Sequence, residues 1–280
     1  MCPPVDTNAE CWVITVASVG DFTHQQLLPV QYVWSLVDAS EKGMNCYSWL
    51  MSIADEQICY EETAAVAKRM LDAWLKERLP GFGEGVDIEW AHLYCARNGC
   101  WYNDNLITAY GKMVEGVYGN NTTILLPPMK TPVPKTPKKG MRVPPTTLSL
   151  ITAASSGRIF LPLNINGTHW TCIVVDGSTQ TVCCYDSTDK RANHNLLAQL
   201  ADEIVKKSLT KAFSVTVVHS PIQKDDFNCG VFICLYFWRR FWKGAGSDYT
   251  EKGLLRRRWD ILRTIMEFSD EIKEKEKVTE

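Results

Sequence analysis

The sequence predicts an α+β fold, and three observations support this prediction. Short apolar runs typical of strands alternate with helical patterns after residue 150. They do so without a regular strand–helix–strand repeat and without a glycine-rich phosphate loop. A chain of 280 residues with 45% apolar and 10% aromatic residues is also long and apolar enough to bury a sizeable core.

Each element follows from its local pattern. Apolar residues at helical spacing predict helices over 61–79, 103–117, 192–209 and 255–266, with a charged tail from Glu271 that frays. The run 228–242 is apolar almost all round, which predicts a buried helix. Strands are predicted over 158–165, 169–175, 181–186 and 214–219. Residues 127–145 hold seven of the thirteen prolines and five basic residues without an acid, which predicts an extended surface loop.

Charge and hydropathy exclude several classes of function. The net charge is −2 and the pI about 6.2, so no global positive field attracts nucleic acid as the main partner. No uncharged apolar run reaches the roughly 18 residues of a membrane span. The N-terminus lacks the basic start and apolar run of a secretory signal. We therefore expect an intracellular protein of the nucleus, the cytoplasm or both, without a membrane contact.

The eleven cysteines do not predict a disulfide framework, because their number is odd and the chain is long. Several lie inside apolar runs, where a reduced cysteine behaves as a small hydrophobic residue. The sequence contains no Cys-x-x-Cys pair, so zinc ligation by cysteine is not expected. We expect neither a metal nor a cofactor.

A predicted hairpin carries the first candidate pair of catalytic residues. Gly177-Ser178 suits a two-residue type II′ turn, and this turn sets His169 directly opposite Asp186, with Cβ atoms about 4.5–5.5 Å apart. A carboxylate in that position can fix the imidazole tautomer and stabilise the imidazolium. A plain cross-strand hydrogen bond explains the pair equally well when the pair is considered alone.

Cys229 begins the predicted buried helix, where the helix dipole and unpaired N–H groups stabilise a thiolate. Gln223, six residues upstream, can donate a side-chain N–H to a developing oxyanion, jointly with the backbone N–H of Cys229. Gly230 is expected to leave room for a substrate backbone. An inert cysteine and a surface amide are the alternatives for the two residues taken singly. The ordered set with His169 and Asp186 favours a thiol enzyme.

These residues resemble the Ulp/SENP proteases of ubiquitin-like modifiers, a family related to the adenoviral protease. The resemblance covers roughly residues 86–245 and rests on these segments: Trp101-Tyr102-Asn103-Asp104 with Leu106-Ile107, His169-Trp170, Tyr185-Asp186-Ser187, and Gln223-x5-Cys229-Gly230 continuing into Val231-Phe232. The sequence departs from the family pattern at Asn228, where an acidic residue is usual, and at Tyr102, where leucine is usual.

The resemblance implies a papain-like cysteine protease fold of the Ulp/adenain type, with a central mixed sheet and the nucleophile at the start of a buried helix. Its implied catalytic residues are Cys229 as nucleophile, His169 as general base, Asp186 as its orienting acid and Gln223 as oxyanion donor. Its implied substrate-binding residues are Trp101, Asp104 and Trp170, with the two tryptophans clamping the diglycine tail of the modifier.

The implied domain organisation has three parts. Residues 1–94 form a mostly helical extension, residues 95–250 the protease domain with the Pro-rich basic loop at 127–145, and residues 251–280 a helix and charged tail.

The expected function is cleavage after the Gly-Gly terminus of a ubiquitin-like modifier, with SUMO and its conjugates as the expected partners. The reaction passes through a thioester acyl-enzyme. Three alternatives remain open at this point: an acetyltransferase on the same scaffold, an endopeptidase of the viral or mobile-element kind, and a catalytically silent modifier-binding module.

Overall fold

Two small antiparallel ladders and three α-helices make up the N-terminal part of the chain. The computed structural model describes residues 13–83, 85–132, 142–209 and 213–279. In chain order the first elements are β1 (Val13–Val16), β2 (Gly20–Thr23), α1 (His24–Ser52), α2 (Tyr60–Asp72), β3 (Arg78–Leu79), β4 (Ile88–Glu89) and α3 (Trp90–Leu93). β1 pairs with β2, and β3 pairs with β4.

The remaining elements build the sheet and the helices that cover it. They are α4 (Asp104–Tyr118), β5 (Asn121–Thr123), β6 (Leu126–Met129), α5 (Pro145–Ala154), β7 (Arg158–Ile165), β8 (His169–Asp176), β9 (Thr181–Tyr185), α6 (Arg191–Ser208), β10 (Ser214–Val218), α7 (Cys229–Trp238) and α8 (Glu251–Thr279). Short 3₁₀ turns lie at Tyr94–Ala96 and Lys243–Ala245.

A six-stranded mixed sheet lies at the centre of the fold. Its order is β10-β9-β8-β7-β5, and β6 also pairs with β7. The strands β7, β8 and β9 are antiparallel neighbours, whereas β10 runs parallel to β9, and both β5 and β6 run parallel to β7. The predicted α+β class with a mixed sheet is therefore confirmed.

Both faces of the sheet are covered, because successive strand residues point to opposite sides. On one face Phe160, Cys172 and Val174 pack into a large core with α1, α2, α4, α7 and α8. On the other face Ile159, Ile173 and the residues next to them pack against α5 and α6. A strand buried on both faces has a continuous apolar sequence, which explains why β7 and β8 were recognisable from sequence.

Three differences from the predicted elements have local causes. The helix predicted over 61–79 ends at Asp72, because Ala73 adopts an extended backbone conformation and the chain then turns into β3. The predicted loop 127–145 begins within β6 and ends at Pro145, the first residue of α5, where the missing N–H of proline costs nothing. Its residues 133–141 lie outside the described part of the chain. The last helix is longer than predicted and runs from Glu251 to Thr279.

The long helix α1 was not predicted, because its apolar residues follow no single stripe. Thr23 and Gln26 form a capping box at its start. Its buried residues all lie in its second half, from Gly43 onwards, and Leu50 packs in the same core as Leu262 of α8. Residues before position 94 thus share a core with the rest of the chain, and the domain boundary at 94 stays a prediction. Among the described residues, no helix has the length and apolar character needed to cross a bilayer.

Candidate active site

The hairpin that carries the candidate histidine and acid has a different turn from the predicted one. Cys172 lies opposite Tyr185 and Asp176 opposite Thr181, so four residues, 177–180, connect the strands. The predicted two-residue turn is wrong, and so is the direct opposition of His169 and Asp186. In the observed register Asp186, which follows the last residue of β9, lies diagonally from His169 on the same face of the sheet.

The side chain of Asp176 explains this turn. Its Oδ1 accepts the backbone N–H groups of Ser178 and Thr179 at 3.0 and 3.4 Å and the Ser178 hydroxyl at 2.6 Å. Gly177 does not supply a positive φ, as a type II′ turn requires. A Cβ at this position would lie 2.3 Å from the backbone oxygen of Ser155. Close packing against the end of α5, rather than turn type, therefore requires glycine here.

The structure nevertheless brings the imidazole and the carboxylate into contact. The Nε2 atom of His169 lies 2.6 Å from Oδ1 of Asp186, and Asp186 is completely buried. A register shift of two residues keeps a side chain on the same face of a strand. The pairing therefore survives an error in the predicted turn, whereas a shift of one residue would have separated the two groups.

Asp186 is held by four further donor groups. Its Oδ1 accepts the backbone N–H of Thr188 at 3.1 Å, and the Thr188 hydroxyl lies about equally close to both carboxylate oxygens. Its Oδ2 accepts the backbone N–H of Lys190 and the side-chain amide of Asn193, both at 2.9 Å. Burial raises the pKa of this carboxyl. The hydrogen bond and charge of His169, together with the hydrogen bonds from the Asn193 side chain and the Lys190 backbone, outweigh burial and hold the pKa well below its usual range. The acid is therefore ionised and fixed in position.

The ring of His169 forms hydrogen bonds with both this carboxylate and the thiol of Cys229. Burial lowers the pKa of the imidazole, but the hydrogen bond to Asp186 and the hydrogen bond to Cys229 raise it, together to about 9. Because Nε2 faces Asp186, the other ring nitrogen is left for the thiol. Folding thus favours an imidazolium held between two groups that carry or develop negative charge.

Cys229 is the first residue of α7 and is only 1% exposed. The helix is buried along almost its whole length, as predicted, but it ends at Trp238 rather than at 242. The expectation for Gly230 is wrong, because a Cβ there would meet the Cβ of Tyr102 at 2.7 Å. Gly230 therefore makes room for Tyr102 and not for a substrate, and it lets α7 approach the segment before α4.

Gln223 is buried in the segment between β10 and α7. Its backbone N–H donates to Ser187 O at 2.7 Å, and its Oε1 accepts the Ser187 hydroxyl at 2.8 Å. Its Nε2 donates to the backbone oxygen and to Oδ1 of Asp225 at 2.6 and 3.1 Å. The amide is thus fixed in orientation by Ser187, the residue after the candidate acid, and by Asp225 in the loop before the nucleophile.

The three predicted substrate-binding residues lie in different environments. Trp101 is 50% exposed, and its indole N–H donates to the backbone oxygen of Asp226, three residues before Cys229. Trp170 is 4% exposed and donates to the backbone oxygen of Tyr102. Asp104 is exposed in the first turn of α4. Trp101 is therefore half exposed next to the loop before the nucleophile, whereas Trp170 is almost completely buried.

Sequence reasoning missed Arg258, a completely buried residue of α8 that supports the nucleophile loop. Its Nε donates to Oδ1 of Asn228 at 2.8 Å, and its guanidinium lies 4.9 Å from the ring centre of Tyr102. Its other donors reach backbone oxygens at 2.7–3.4 Å, those of Cys95, Ala96, Arg97, Cys100 and Phe227. Arg258 ends a run of three arginines, and such a run is typical of a solvated face, so no local pattern signals its burial.

The cysteines of the described residues are free. Burial raises the pKa of Cys46 and Cys184 to about 12, and it raises the pKa of Cys172 and Cys234 well above the ordinary value. Thiols of this kind stay protonated and unreactive. They fill the core, as the sequence predicted for most of the cysteines.

Residues 154–276 match the model of the Ulp1 protease family, C-terminal catalytic domain. The chain is also 27% identical over 84 residues to ubiquitin-like-specific protease 1 of Saccharomyces cerevisiae, an alignment that covers 28% of this chain and 14% of that protein. The matched segment therefore spans about one seventh of the length of this relative.

Two solved structures share the fold. The first is the C-terminal Ulp1 protease domain in complex with Smt3, the yeast ortholog of SUMO, at a TM-score of 0.53 and 18% identity, covering 77% of this chain and 96% of that one. The second is the Chaetomium thermophilum Ulp1-like SUMO protease catalytic domain, at a TM-score of 0.51 and 17% identity, covering 75% and 89%. The similarity to the Ulp1 protease family thus lies in residues 154–276, and these solved structures share the fold of the chain.

Proposed function

We propose that this protein is a thiol protease that cleaves after the C-terminal Gly-Gly of a ubiquitin-like modifier, with SUMO as the modifier. The observation that carries the proposal is the position of His169, whose Nε2 lies 2.6 Å from Asp186 and whose ring also forms a hydrogen bond with the thiol of Cys229. This is the arrangement that activates a cysteine as a nucleophile. The expected location, nucleus or cytoplasm or both, stays a prediction.

The first chemical step is attack of Cys229 on the carbonyl carbon of the terminal glycine. The thiol proton passes to His169, and the raised pKa of the imidazole favours the resulting thiolate–imidazolium pair. Asp186 stabilises the imidazolium without accepting its proton, because the pKa of this carboxyl is far below that of the ring.

The second step is collapse of the tetrahedral intermediate. We assign the oxyanion to the side-chain amide of Gln223 and the backbone N–H of Cys229, the latter at the positive end of α7. The Nε2 atom of Gln223 donates to the backbone oxygen and to Oδ1 of Asp225. One of its two N–H groups can bond both of these oxygens, while the other N–H donates to the oxyanion. His169 then protonates the leaving lysine amine, a thioester remains on Cys229, and water hydrolyses it.

The position of Trp101 supports selectivity for a tail without side chains. Its half-exposed indole is anchored by the bond to Asp226, so its face has a fixed distance from the nucleophile loop. A flat aromatic wall against an extended peptide leaves space for glycine and excludes residues with a Cβ. We assign Trp170, which is almost completely buried, to the opposite wall of this passage, and Asp104 to a contact with the modifier from the first turn of α4.

The choice of SUMO rests on the relatives. The family match covers the segment that contains His169, Asp186, Gln223 and Cys229. One structural neighbour was solved with Smt3, the yeast ortholog of SUMO, and another is a Ulp1-like SUMO protease catalytic domain. No metal or cofactor takes part in the proposed chemistry.

The test is covalent labelling by C-terminal vinyl-sulfone probes built on SUMO and on ubiquitin. The expected result is one adduct per chain with the SUMO probe, mapped to Cys229 by peptide mass spectrometry, and no adduct in Cys229→Ala. The matched control is Cys59→Ala, which removes an exposed thiol and should label like the wild type. An adduct that persists in Cys229→Ala contradicts the assignment of the nucleophile.

The same experiment separates the alternative functions. Labelling by the ubiquitin probe alone changes the modifier and keeps the chemistry. Cleavage of short Gly-Gly peptides as efficiently as of whole SUMO precursors indicates an endopeptidase. Acetylated Cys229 after incubation with acetyl-coenzyme A indicates an acetyltransferase. A SUMO complex that forms without any adduct or cleavage indicates a silent binding module.

A further inference from the structure

A second cluster of ionisable side chains lies close in sequence to Asp186 and Gln223, and the proposed chemistry does not use it. It consists of Asp189, His194 and His219, which we call the Asp189–His194–His219 cluster. Nε2 of His194 and Nδ1 of His219 lie 2.8 and 2.6 Å from the same oxygen, Oδ1 of Asp189. The three potential ligand atoms all lie within 4.8 Å of one another.

The sheet itself places these residues together. β9 and β10 are parallel neighbours, with Tyr185 opposite Val218, so their carboxyl ends meet at one edge. Asp189 lies in the turn after β9, and His219 directly follows β10. His194 belongs to the first turn of α6, where its backbone N–H bonds Lys190 O at 3.0 Å. The backbone thus holds all three positions before any ligand is present.

The donor set identifies the class of ligand. Two imidazole nitrogens and one carboxylate oxygen are a typical set for a divalent transition ion, and Zn²⁺ accepts them with a water molecule as fourth ligand. Mg²⁺ and Ca²⁺ prefer oxygen donors, of which this cluster offers one residue. In a tetrahedral zinc site the ligand atoms lie roughly 3.3 Å apart, at ~2.0–2.1 Å from the ion. The two observed nitrogen–oxygen distances are 2.8 and 2.6 Å, so zinc binding requires side-chain rotations that lengthen them by roughly 0.5–0.7 Å.

Burial provides a second, independent observation. His194 is 6% exposed, and its Nδ1 has no hydrogen-bond partner among the described residues. Burial therefore holds the ring in place with its Nε2 at Oδ1 of Asp189. His219 is exposed, which leaves the cluster open for entry of an ion.

We propose that the Asp189–His194–His219 cluster binds one Zn²⁺ ion. The ion connects the turn after β9 to the end of β10. Asp186 lies three residues before Asp189, and Gln223 lies four residues after His219. A zinc ion here therefore stabilises both segments that carry the acid and the oxyanion donor, without contact with the reacting atoms.

The direct test is NMR of the five histidine imidazoles in ¹⁵N-histidine-labelled full-length protein. The protein carries Cys229→Ser, so that Cys229 and His169 do not capture the metal. On addition of ZnCl₂ we expect the ring nitrogens of His194 and His219 to shift and to saturate at one equivalent. The exposed His24 should not shift. Absence of a shift at His194 and His219, or a shift at His169 or His92 only, overturns the proposal.

A matched pair of variants tests the same site by affinity. In the Cys229→Ser background, His219→Gln should lower the zinc affinity measured by calorimetry by at least ~10-fold. Loss of a residue that only supports a ligand already costs ~10–100-fold in metal affinity, and His219 is a ligand in the proposed site. The thermal midpoint should rise by roughly 5 °C when zinc is present at 100-fold excess over its Kd. His24→Gln should retain both the affinity and the thermal shift, whereas His219→Gln should show the weaker affinity and a smaller thermal shift at the same zinc concentration.

Two outcomes contradict the proposal in this second test. One is equal zinc affinity in His219→Gln and His24→Gln, which places the ion elsewhere, for example on exposed thiols such as Cys59. The other is seen when Co²⁺ is added in place of Zn²⁺. A thiolate charge-transfer band in the spectrum of the cobalt complex would contradict the proposal, because the proposed site holds no sulfur ligand. The zinc titration followed by NMR needs no substitution in the cluster. The proposal therefore stays testable even if a cluster variant fails to fold.

Discussion

Arg258 donates its Nε–H to the side-chain oxygen of Asn228, the residue before the candidate nucleophile, over 2.8 Å and in complete burial. No carboxylate touches this guanidinium among the described residues, and backbone oxygens accept its remaining N–H groups. Asn228 in turn donates to Asp225 at 2.9 Å, and Asp225 accepts from Gln223. One chain of hydrogen bonds thus connects α8 with the loop that positions both Cys229 and Gln223.

Substitution of Arg258 by lysine should therefore destabilise the protein strongly. Lysine keeps the charge but cannot reach the backbone oxygens of two segments at once, and buried polar atoms left without partners cost about 1–3 kcal/mol each. We expect a loss of about 3–5 kcal/mol in the free energy of unfolding, measured by urea titration.

The matched control for Arg258 is Arg263→Lys on the same helix. Arg263 lies at the surface and pairs with Glu267 at 3.0 Å, so its substitution should change the unfolding free energy by less than about 0.5 kcal/mol. Equal effects of the two substitutions would show that the buried network contributes nothing to stability.

Replacement of Asp186 by asparagine should move the pH profile. The reaction needs His169 protonated when the amine leaves, and the raised pKa of about 9 keeps the imidazolium present up to that pH. Without the carboxylate the pKa falls, so the alkaline limb of kcat should move down by at least about 1 pH unit. At pH 7 we expect kcat to fall by ~10²–10⁴.

The control for this pH experiment is Asp202→Asn, which removes an exposed carboxylate of α6. Its profile should match the wild type in both limbs. A full rate loss in Asp186→Asn with an unmoved alkaline limb would mean that Asp186 acts on structure and not on the charge of His169.

Substitution of Gln223 by alanine should lower kcat by ~10²–10³ with little change in KM, because an oxyanion donor acts on the transition state and not on docking. Ser187→Ala removes the hydroxyl that fixes Gln223 Oε1 at 2.8 Å, and its effect should be smaller, about tenfold. Steady-state kinetics on a SUMO precursor measures both. A rise in KM with unchanged kcat would assign Gln223 to modifier binding.

Two substitutions of Trp101 separate the aromatic face from the indole hydrogen bond. Trp101→Phe loses the bond to Asp226 but keeps a flat ring, so kcat/KM should fall by about tenfold or less. Trp101→Ala removes the wall and should lower kcat/KM by ~10² or more. Equal activity of the alanine variant and the wild type on SUMO precursors would exclude Trp101 from tail binding.

Gly177→Ala tests the reason for the observed turn. The added Cβ would lie 2.3 Å from the backbone oxygen of Ser155, which cannot move without displacing the end of α5. We expect a loss of about 1–3 kcal/mol in the unfolding free energy, against less than about 0.5 kcal/mol for Leu150→Ala at an exposed position of α5. A neutral Gly177→Ala would show that the two segments separate easily.

The sequence by itself determined the elements whose burial is uniform. The strands over 158–165 and 169–175 and the buried helix from Cys229 follow from unbroken apolar runs, since a segment covered on all sides needs no polar residues. Period-two alternation also put His169 and Asp186 on one face of the sheet. This result holds for any register shift by an even number of residues.

Only the tertiary structure decided what depends on contacts between distant segments. The four-residue turn follows from the Asp176 side chain and from the approach of Ser155 to Gly177, neither of which local turn preferences contain. The burial of Arg258 and the packing of Gly230 against Tyr102 have the same origin. Residue type and spacing describe only the neighbours of a residue along the sequence. The hydrogen-bond acceptors and the free volume at these sites come from segments up to 163 residues away.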